Sequence, residues 1–556
     1  MSTVEEWVAG FTPRPVHEYL EETIRTFGDR PAMDFMGKVW TYAQLGAMAD
    51  RTAAGLQAMG VGPGTHVGLC LPNTPFYPVF YFALLRIGAT VVNFNPLYVE
   101  REIASQARDA DVRIMVTMDL KLIFDKVEEV RKEKILDTII VCPMADCLPT
   151  VKKVLFSLFK RKELAAVPRD PAHIQFADLQ TKGASVAAAD IDPATAVAVL
   201  QYTGGTTGVP KGAMLTHSNL SANIEQMRDI FDKARPGQEK MLCVLPFFHV
   251  FAMTVGQNLS VVLGAEMVLQ PRFELKAVLD VIKRKGVTLF PGVPTIFTAI
   301  NNSHMTKNYD LTTIDLCLSG GAPLPVEVKE EFERLTGCIL VEGYGLTESS
   351  PVAVANPLDH TSRAGSIGLP VPGTNVRFVD IEDRKTLVPL GEKGELCLQG
   401  PQIMKGYWKR DDATAEAIEA DGFLHTGDVG YQDEDGFIYL VDRIKDLILC
   451  SGYNVYPRVI EEAIYQHDAV LEVIVIAIPD EYRGQSPKAF IKLKEGHQVT
   501  GPEMKEFLKH HLSAIELPRA FEFRDELPKT MVGKLSKKEL VEEEAAKRAA
   551  MEAKSA

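Results

Sequence analysis

The stretch LQYTGGTTGVPKGAMLTH, residues 200–217, gathers Thr203, Thr206 and Thr207 with Gly204, Gly205 and Gly208, and closes on Lys211. Threonine hydroxyls and glycine N–H groups, with no side chain to hold an anion off, suit phosphate oxygens, and a lysine adds a mobile positive charge. The stretch is not a Walker A loop, because Pro210 precedes the lysine where that loop needs Gly, and Gly212 follows it where Ser or Thr is required. An ordinary Gly/Thr-rich surface turn is the plainer alternative, disfavoured by the clustering of Lys211 with three hydroxyls. The loop is expected to lie between a strand-like apolar run and a helix-like one.

The elements that must position such a loop alternate. VRIMVTM, DTIIVCP, ATAVAVLQYT and VTLFPGVP are strand-like, and DLKLIFDKVEEVRKEK and PVEVKEEFERLTG have helical periodicity. This alternation predicts layered α/β architecture with largely parallel sheets. Near residue 365 short strands with frequent turn signals predict a small antiparallel β subdomain, over about 365–442. A linker is expected at 442–446, and from about 446 VIEEAIYQ, LEVIVIAIP, AFIKLKE and EMKEFLKHHL predict a small α+β domain ending in a frayed helical tail. The segment VKKVLFSLFKRKE, residues 151–163, sets Val154, Leu155, Leu158 and Phe159 at helical spacing among Lys152, Lys153, Lys160, Arg161 and Lys162. It reads either as a basic amphipathic helix for an anionic membrane surface or as a solvated helix covering the core.

A chain of 556 residues exceeds one hydrophobic core, and a net charge of −14 argues against a broad nucleic-acid surface. The eight cysteines include no C-x-x-C pair or zinc spacing. The start, MSTVEEWVAG, lacks a basic region followed by an apolar one, so a reducing, cytoplasmic setting is expected. The apolar stretches 76–92 and 242–269 are interrupted by Pro78, Arg86 and Gly88, and by His249, Gln257 and Asn258, and read as buried strands and helices rather than membrane spans.

YTGGTTGVPKGAMLTH resembles the signature loop of the adenylate-forming (AMP-binding) superfamily. The resemblance extends in order through SGGAPLP (319–325), EGYGLTESSP (342–351), GELCLQGPQIMKGYW (394–408), HTGDVG (425–430), DRIKDLILCSGYNVYP (442–457) and LPKTMVGKLSKKEL (527–540). NPLYVERE (95–102), PFFHVFA (246–252), GSIGLPVPGT (365–374) and SGYNVYP are most similar to bacterial long-chain fatty acyl-CoA synthetases, which also carry a Lys-rich amphipathic stretch in the place of residues 151–163.

The resemblance implies two half-reactions: a fatty acid carboxylate attacks the α-phosphate of ATP to give acyl-adenylate and pyrophosphate, then the coenzyme A thiol takes the acyl group and AMP leaves. It implies a large N-terminal AMP-binding domain (1–442), a hinge at 443–445 centred on Lys445, and a mobile C-terminal domain (446–556) that rotates between the half-reactions. The ATP phosphates are assigned to Thr203, Gly204, Gly205, Thr206, Thr207, Gly208 and Lys211. Mg²⁺ is assigned to Glu348 and Thr203, and the α-phosphate to Thr347. Gly320, Gly321, Ala322, Tyr344 and Gly345 fall to the adenine side, and Asp428 and Arg443 to the ribose. Lys534 matches the adenylation lysine, His249 and Phe248 the acyl pocket, and Gly452 and Tyr453 the coenzyme A side. SKKEL stands where relatives often carry LRREL, which alters the charge around Lys534. Implied partners are a fatty acid and, peripherally, the cytoplasmic face of the inner membrane. Relatives are often homodimers, though no pattern here specifies an interface.

Within the superfamily, a medium-chain or aryl-acid CoA ligase, a fatty acyl-AMP ligase serving a carrier protein, and a luciferase-like oxygenase share these motifs. No extra segment precedes the β subdomain to obstruct domain rotation, which disfavours the carrier-protein reading. A non-catalytic fatty-acid-binding protein is disfavoured by the intact set Lys211, Glu348, Asp428 and Lys534.

Overall fold

The computed structural model describes residues 3–182, 185–203, 210–451, 453–480, 482–530 and 533–555. Among these residues the strands form four sheets. In the seven-stranded sheet, His173–Gln175, Thr138–Cys142, Ile114–Met118, His66–Cys70, Thr90–Asn93 and Val197–Thr203 run parallel, and Lys211–Thr216 closes one edge antiparallel. In the nine-stranded sheet the central strands, including Lys240–Cys243, Leu289–Gly292, Leu316–Gly320 and Ile339–Gly345, are parallel, with antiparallel pairs at both edges. Parallel strands buried on both faces need continuous apolar sequence, and TIIVC and IMVTM supply it.

The helix Phe76–Arg86 is buried at every position through Leu85. A helix apolar all round belongs inside a core, and this one is held by both large sheets. The Tyr77 hydroxyl, at 2.7 Å from Asn93 Oδ1 and 2.8 Å from the Phe247 carbonyl, bridges them. Asn73 adds bonds to the carbonyls of Cys243 and Leu245, at 3.0 and 2.7 Å. The stretches 76–92 and 242–269 are thus interior strand and helix, and no helix among the described residues is long and apolar enough to cross a membrane.

Two local features differ from the sequence reading. The run after the Gly/Thr loop is first a strand, Lys211–Thr216, paired with Val197–Thr203 so that Thr203 opposes Lys211. The helix begins only at His217, capped by the Thr216 side chain. Edge pairing overrides helical periodicity here, because Gly212 and Met214 also bond the segment 405–408: Trp408 donates to Gly212 (2.8 Å), and Lys405 and Gly406 pair with Met214 (3.0 and 2.9 Å). The second difference concerns residues 151–163. They form the helix Thr150–Phe159 and a short turn Arg161–Glu163 with no buried residue. Val154, Leu155, Leu158 and Phe159 are exposed, and of the helix's apolar residues Phe156 alone packs, partly buried, against the core.

The antiparallel four-stranded sheet runs Asn375–Val379, Gly394–Gln399, Leu424–Gln432 and Ile438–Arg443. Leu369–Pro370, within the stretch where the sequence texture changes, instead edges the nine-stranded sheet. The last sheet carries its own core, including Ile448, Ile464, Val475, Ile491 and Leu508, beneath the helices Pro457–Tyr465 and Gly501–Leu508. The helix Lys537–Ser555 closes the chain.

Candidate functional site

The parallel strands of the nine-stranded sheet end together. Leu316–Gly320 leads into Gly321 and Ala322, Ile339–Gly345 carries Tyr344 and Gly345 near its end, and beyond Cys243 the chain runs to Phe248 and His249. Ligand sites in open α/β sheets form at the carboxyl ends of strands, where loops diverge.

The loop of residues 204–209 lies outside the described residues, as does Gly452; the loop's two ends are fixed by the Thr203–Lys211 pairing. Lys211 Nζ stands 5.1 Å from the ring centre of Tyr407, a cation–π contact. The Tyr407 hydroxyl donates to Glu348 Oε1 at 2.7 Å, and the Met404 N–H donates to the Glu348 carbonyl at 2.8 Å. The segment 404–408 therefore fastens both the strand that begins with Lys211 and the carboxylate of Glu348. The turn Thr347–Ser349 rests against the strands ending at Thr203 and beginning at Lys211. A carboxylate and a hydroxyl on adjoining elements are hard oxygen donors of the kind Mg²⁺ takes, with few protein ligands and the remainder from phosphate and water. Tyr407 was missed by residue-type reasoning, because its contact with Glu348 spans 59 residues.

Asp428 is buried, and both its carboxylate oxygens are addressed. Tyr344 donates its hydroxyl to Oδ2 at 2.6 Å, and Arg443 Nε lies 3.0 Å from Oδ1. Sheet register produces the second contact, since Asp428 and Arg443 are direct partners across neighbouring strands. Lys445 follows within the short turn Ile444–Asp446, and Tyr453 is exposed on the last sheet.

Lys534 reaches this site from the C-terminal part of the chain. A Cβ built on Gly321, whose φ is +80°, would lie 2.3 Å from Lys534 Cε and 2.7 Å from Nζ. Only a residue without a side chain leaves room for the lysine there. The neighbouring Gly533 is tied down by Thr295, whose hydroxyl donates to its carbonyl at 2.6 Å. Burial, with the nearby Arg443 charge second, lowers Lys534 to about 8. Burial lowers His249 to about 3, and the charge of Lys534 adds to the effect, so His249 is a neutral wall of the site. Its neighbour Phe248 is held by Gln201, whose amide donates to the Phe248 carbonyl at 2.9 Å and whose own oxygen accepts from Asn93 at 2.9 Å.

The described part of the assigned set thus converges: Gly320, Gly321, Ala322, Tyr344 and His249 at or beyond the strand ends, met by Asp428 and Arg443 from the four-stranded sheet and by Lys534, and Thr203, Lys211, Thr347 and Glu348 around the Thr203–Lys211 pairing. The arrangement sets a lysine and a carboxylate on either side of Tyr407, and a buried carboxylate beside Tyr344 and Arg443.

The chain matches the AMP-binding enzyme family over residues 20–408 and the AMP-binding enzyme C-terminal domain over 459–534. It is 42% identical over 557 residues to the long-chain-fatty-acid–CoA ligase of Bacillus subtilis (strain 168), covering 98% of this chain and 99% of that one. It is 39% identical over 540 residues to the enzyme of the same name from Salmonella typhimurium, covering 95% and 94%. Among solved structures it resembles ATP-bound MatB from Rhodopseudomonas palustris, with TM-score 0.81 and 27% identity, covering 94% of this chain and 98% of that one.

The lowered Lys534 makes a pH prediction. The lysine is cationic below about 8 and loses its charge above. Because kcat/KM reports the free enzyme, kcat/KM for ATP in pyrophosphate release is expected to fall as pH rises through about 8. In Lys534→Arg, which stays charged, that alkaline limb moves out of range; a limb unchanged by the substitution contradicts the assignment.

Proposed function

The chain belongs to the AMP-binding enzyme family, and we propose that within it the protein activates long-chain fatty acids to acyl-CoA through an acyl-adenylate, releasing AMP and pyrophosphate. The observation that carries this reading is the seating of Lys534 against Gly321, at the strand ends that carry Tyr344, whose hydroxyl meets Asp428. The long-chain assignment rests on the names of relatives about 40% identical over nearly their whole length.

The residues divide the chemistry by charge. A carboxylate and a polyphosphate repel each other, and charge accumulates on the α-phosphoryl oxygens in the transition state. Lys211 and the loop 204–208 hold the β- and γ-phosphates. Glu348 and Thr203 would hold Mg²⁺, which supplies fixed positive charge to phosphate oxygens when bound. Thr347 contacts the α-phosphate. Asp428 and Arg443 hold the ribose, while Gly320, Gly321, Ala322, Tyr344 and Gly345 border the base. Lys534 bridges the attacking carboxylate and the α-phosphate, so that the reacting atoms meet in line. His249 and Phe248 line the entrance for the acyl chain. For the second half-reaction the part of the chain beyond Lys445 swings about that residue, withdrawing Lys534 and bringing the Gly452–Tyr453 face toward coenzyme A.

Substrate class is tested with purified enzyme, ATP and Mg²⁺ on acetate, octanoate, palmitate, oleate and 4-coumarate, with and without coenzyme A. Turnover that requires coenzyme A and peaks on palmitate or oleate is expected. A peak on octanoate or coumarate overturns the chain length, and pyrophosphate release indifferent to coenzyme A points instead to a carrier protein.

The exposed helix Thr150–Phe159 supports a peripheral membrane contact. Leu158 and Phe159 are 68% and 76% exposed, and Lys152, Lys153, Lys160, Arg161 and Lys162 flank them in sequence, with Lys153 paired to Asp146 and Lys160 to Glu163. Apolar groups that enter the acyl boundary, with lysines near anionic headgroups, give binding that depends on lipid charge. In vesicle flotation the protein is expected to rise with anionic but not zwitterionic vesicles. Leu158→Asp with Phe159→Asp is expected to abolish this while leaving turnover of octanoate in solution intact; flotation unaffected by the pair contradicts the contact.

A further inference from the structure

The four-stranded sheet contains an irregularity beneath Asp428. Between Gly394–Gln399 and Leu424–Gln432 the register runs Glu395 opposite Val429, then Cys397 opposite His425. Leu396 alone thus faces the three residues Thr426, Gly427 and Asp428. A bulge of this kind re-aims a side chain but breaks the ladder of backbone bonds. Buried backbone donors left without partners are costly, so something must replace the ladder.

Side chains replace it. Glu395 Oε1 accepts the Gly427 N–H at 3.0 Å. The Thr426 hydroxyl donates to the Leu396 carbonyl at 2.7 Å and accepts the Asp428 N–H at 3.0 Å. Glu395 is itself fixed: its side chain is 0% exposed, and Arg384 grips it through Nε and Nη2 at 2.9 and 3.1 Å. His425 Nδ1 stands 3.0 Å from Glu395 Oε2 and 3.4 Å from Cys397 Sγ. His425 Nε2 stands 2.9 Å from Glu419 Oε1, and Arg377 pairs with both Glu419 and Asp421. Burial alone would raise the Glu395 carboxyl, but Arg384 and His425 hold it below the ordinary carboxylate range. Glu395, Cys397 and His425 also have the donor types of a metal site, with ligand atoms within 4.8 Å of one another. The guanidinium already gripping both oxygens of Glu395 fills the role a cation would have.

We propose that Glu395, clamped by Arg384 and backed by His425, is a positioning residue for nucleotide ribose: by accepting the Gly427 N–H, beside the Thr426 hydroxyl that accepts the Asp428 N–H, it fixes the carboxylate of Asp428 where two vicinal hydroxyls can reach it. This rests on the reading that Asp428 receives the ribose. Glu395 touches no substrate and acts through the backbone of Gly427 and, with Thr426, through that of Asp428.

The test compares AMP with 2′,3′-dideoxy-AMP by calorimetry on the full-length enzyme and on Asp428→Ala, Glu395→Gln and Thr426→Val. Wild type is expected to prefer AMP, and Asp428→Ala to lose the preference. Glu395→Gln is expected to weaken AMP by about tenfold, the scale of a misplaced hydrogen-bonding group, with the dideoxy nucleotide changed by less than about twofold. Thr426→Val, which removes the other substitute bonds without touching Glu395, is expected to act the same way and carries the test if Glu395→Gln does not fold. Equal weakening of both nucleotides marks a general structural role and overturns the proposal. So does a full preference for AMP in both Glu395→Gln and Thr426→Val while Asp428→Ala has lost it. If Asp428→Ala itself keeps the preference, the ribose reading fails and the proposal with it.

Discussion

An ammonium group carried near the end of the chain meets a glycine far earlier in it, and the space for it is made by an absent side chain. Lys534 lies where a Cβ on Gly321 would be, with Thr295 holding the carbonyl of Gly533 beside it. Everything else in the site is arranged about that contact. The parallel strands bring Gly321, Tyr344 and His249 to their carboxyl ends, and the four-stranded sheet delivers Asp428 and Arg443. Burial, with the Arg443 charge second, lowers the lysine to about 8.

The part of the site around Lys211 obeys a different constraint. A lysine and a carboxylate from distant segments have to be held close together. Tyr407 serves both, presenting its ring to Lys211 and its hydroxyl to Glu348. The strand Lys211–Thr216 is an edge strand, and the segment 405–408 bonds to it, so Lys211 is fixed from both sides.

Much of this was legible in the sequence where chemistry is carried by contiguous motifs. The α/β alternation and the buried character of 76–92 and 242–269 could be read from short stretches. What was not legible depends on register and distance. Nothing local announces that Glu395 supports Gly427, because the contact follows from a bulge that sets three residues against one. Lys534 is indistinguishable by type from Lys529, Lys537 and Lys538; the structure separates them, since Lys529 pairs with Glu472 and Lys537 faces Glu461 and Asp446, while Lys534 faces Gly321. Helical spacing in 151–163 gave a face but could not say whether the core covers it. The run after Lys211 was misjudged as helical because edge pairing, invisible in one segment, outweighs periodicity.

The measurement that bears most directly on this arrangement separates the half-reactions in Lys534→Ala. Pyrophosphate–ATP exchange driven by palmitate reports adenylation, and acyl-CoA formation from supplied palmitoyl-adenylate reports the second step. Exchange is expected to fall by about 10²–10³, the scale of losing one cation at a transition state, with thioester formation within about twofold of wild type. Equal loss of both would mean that Lys534 supports the fold of the site rather than the attack of the carboxylate.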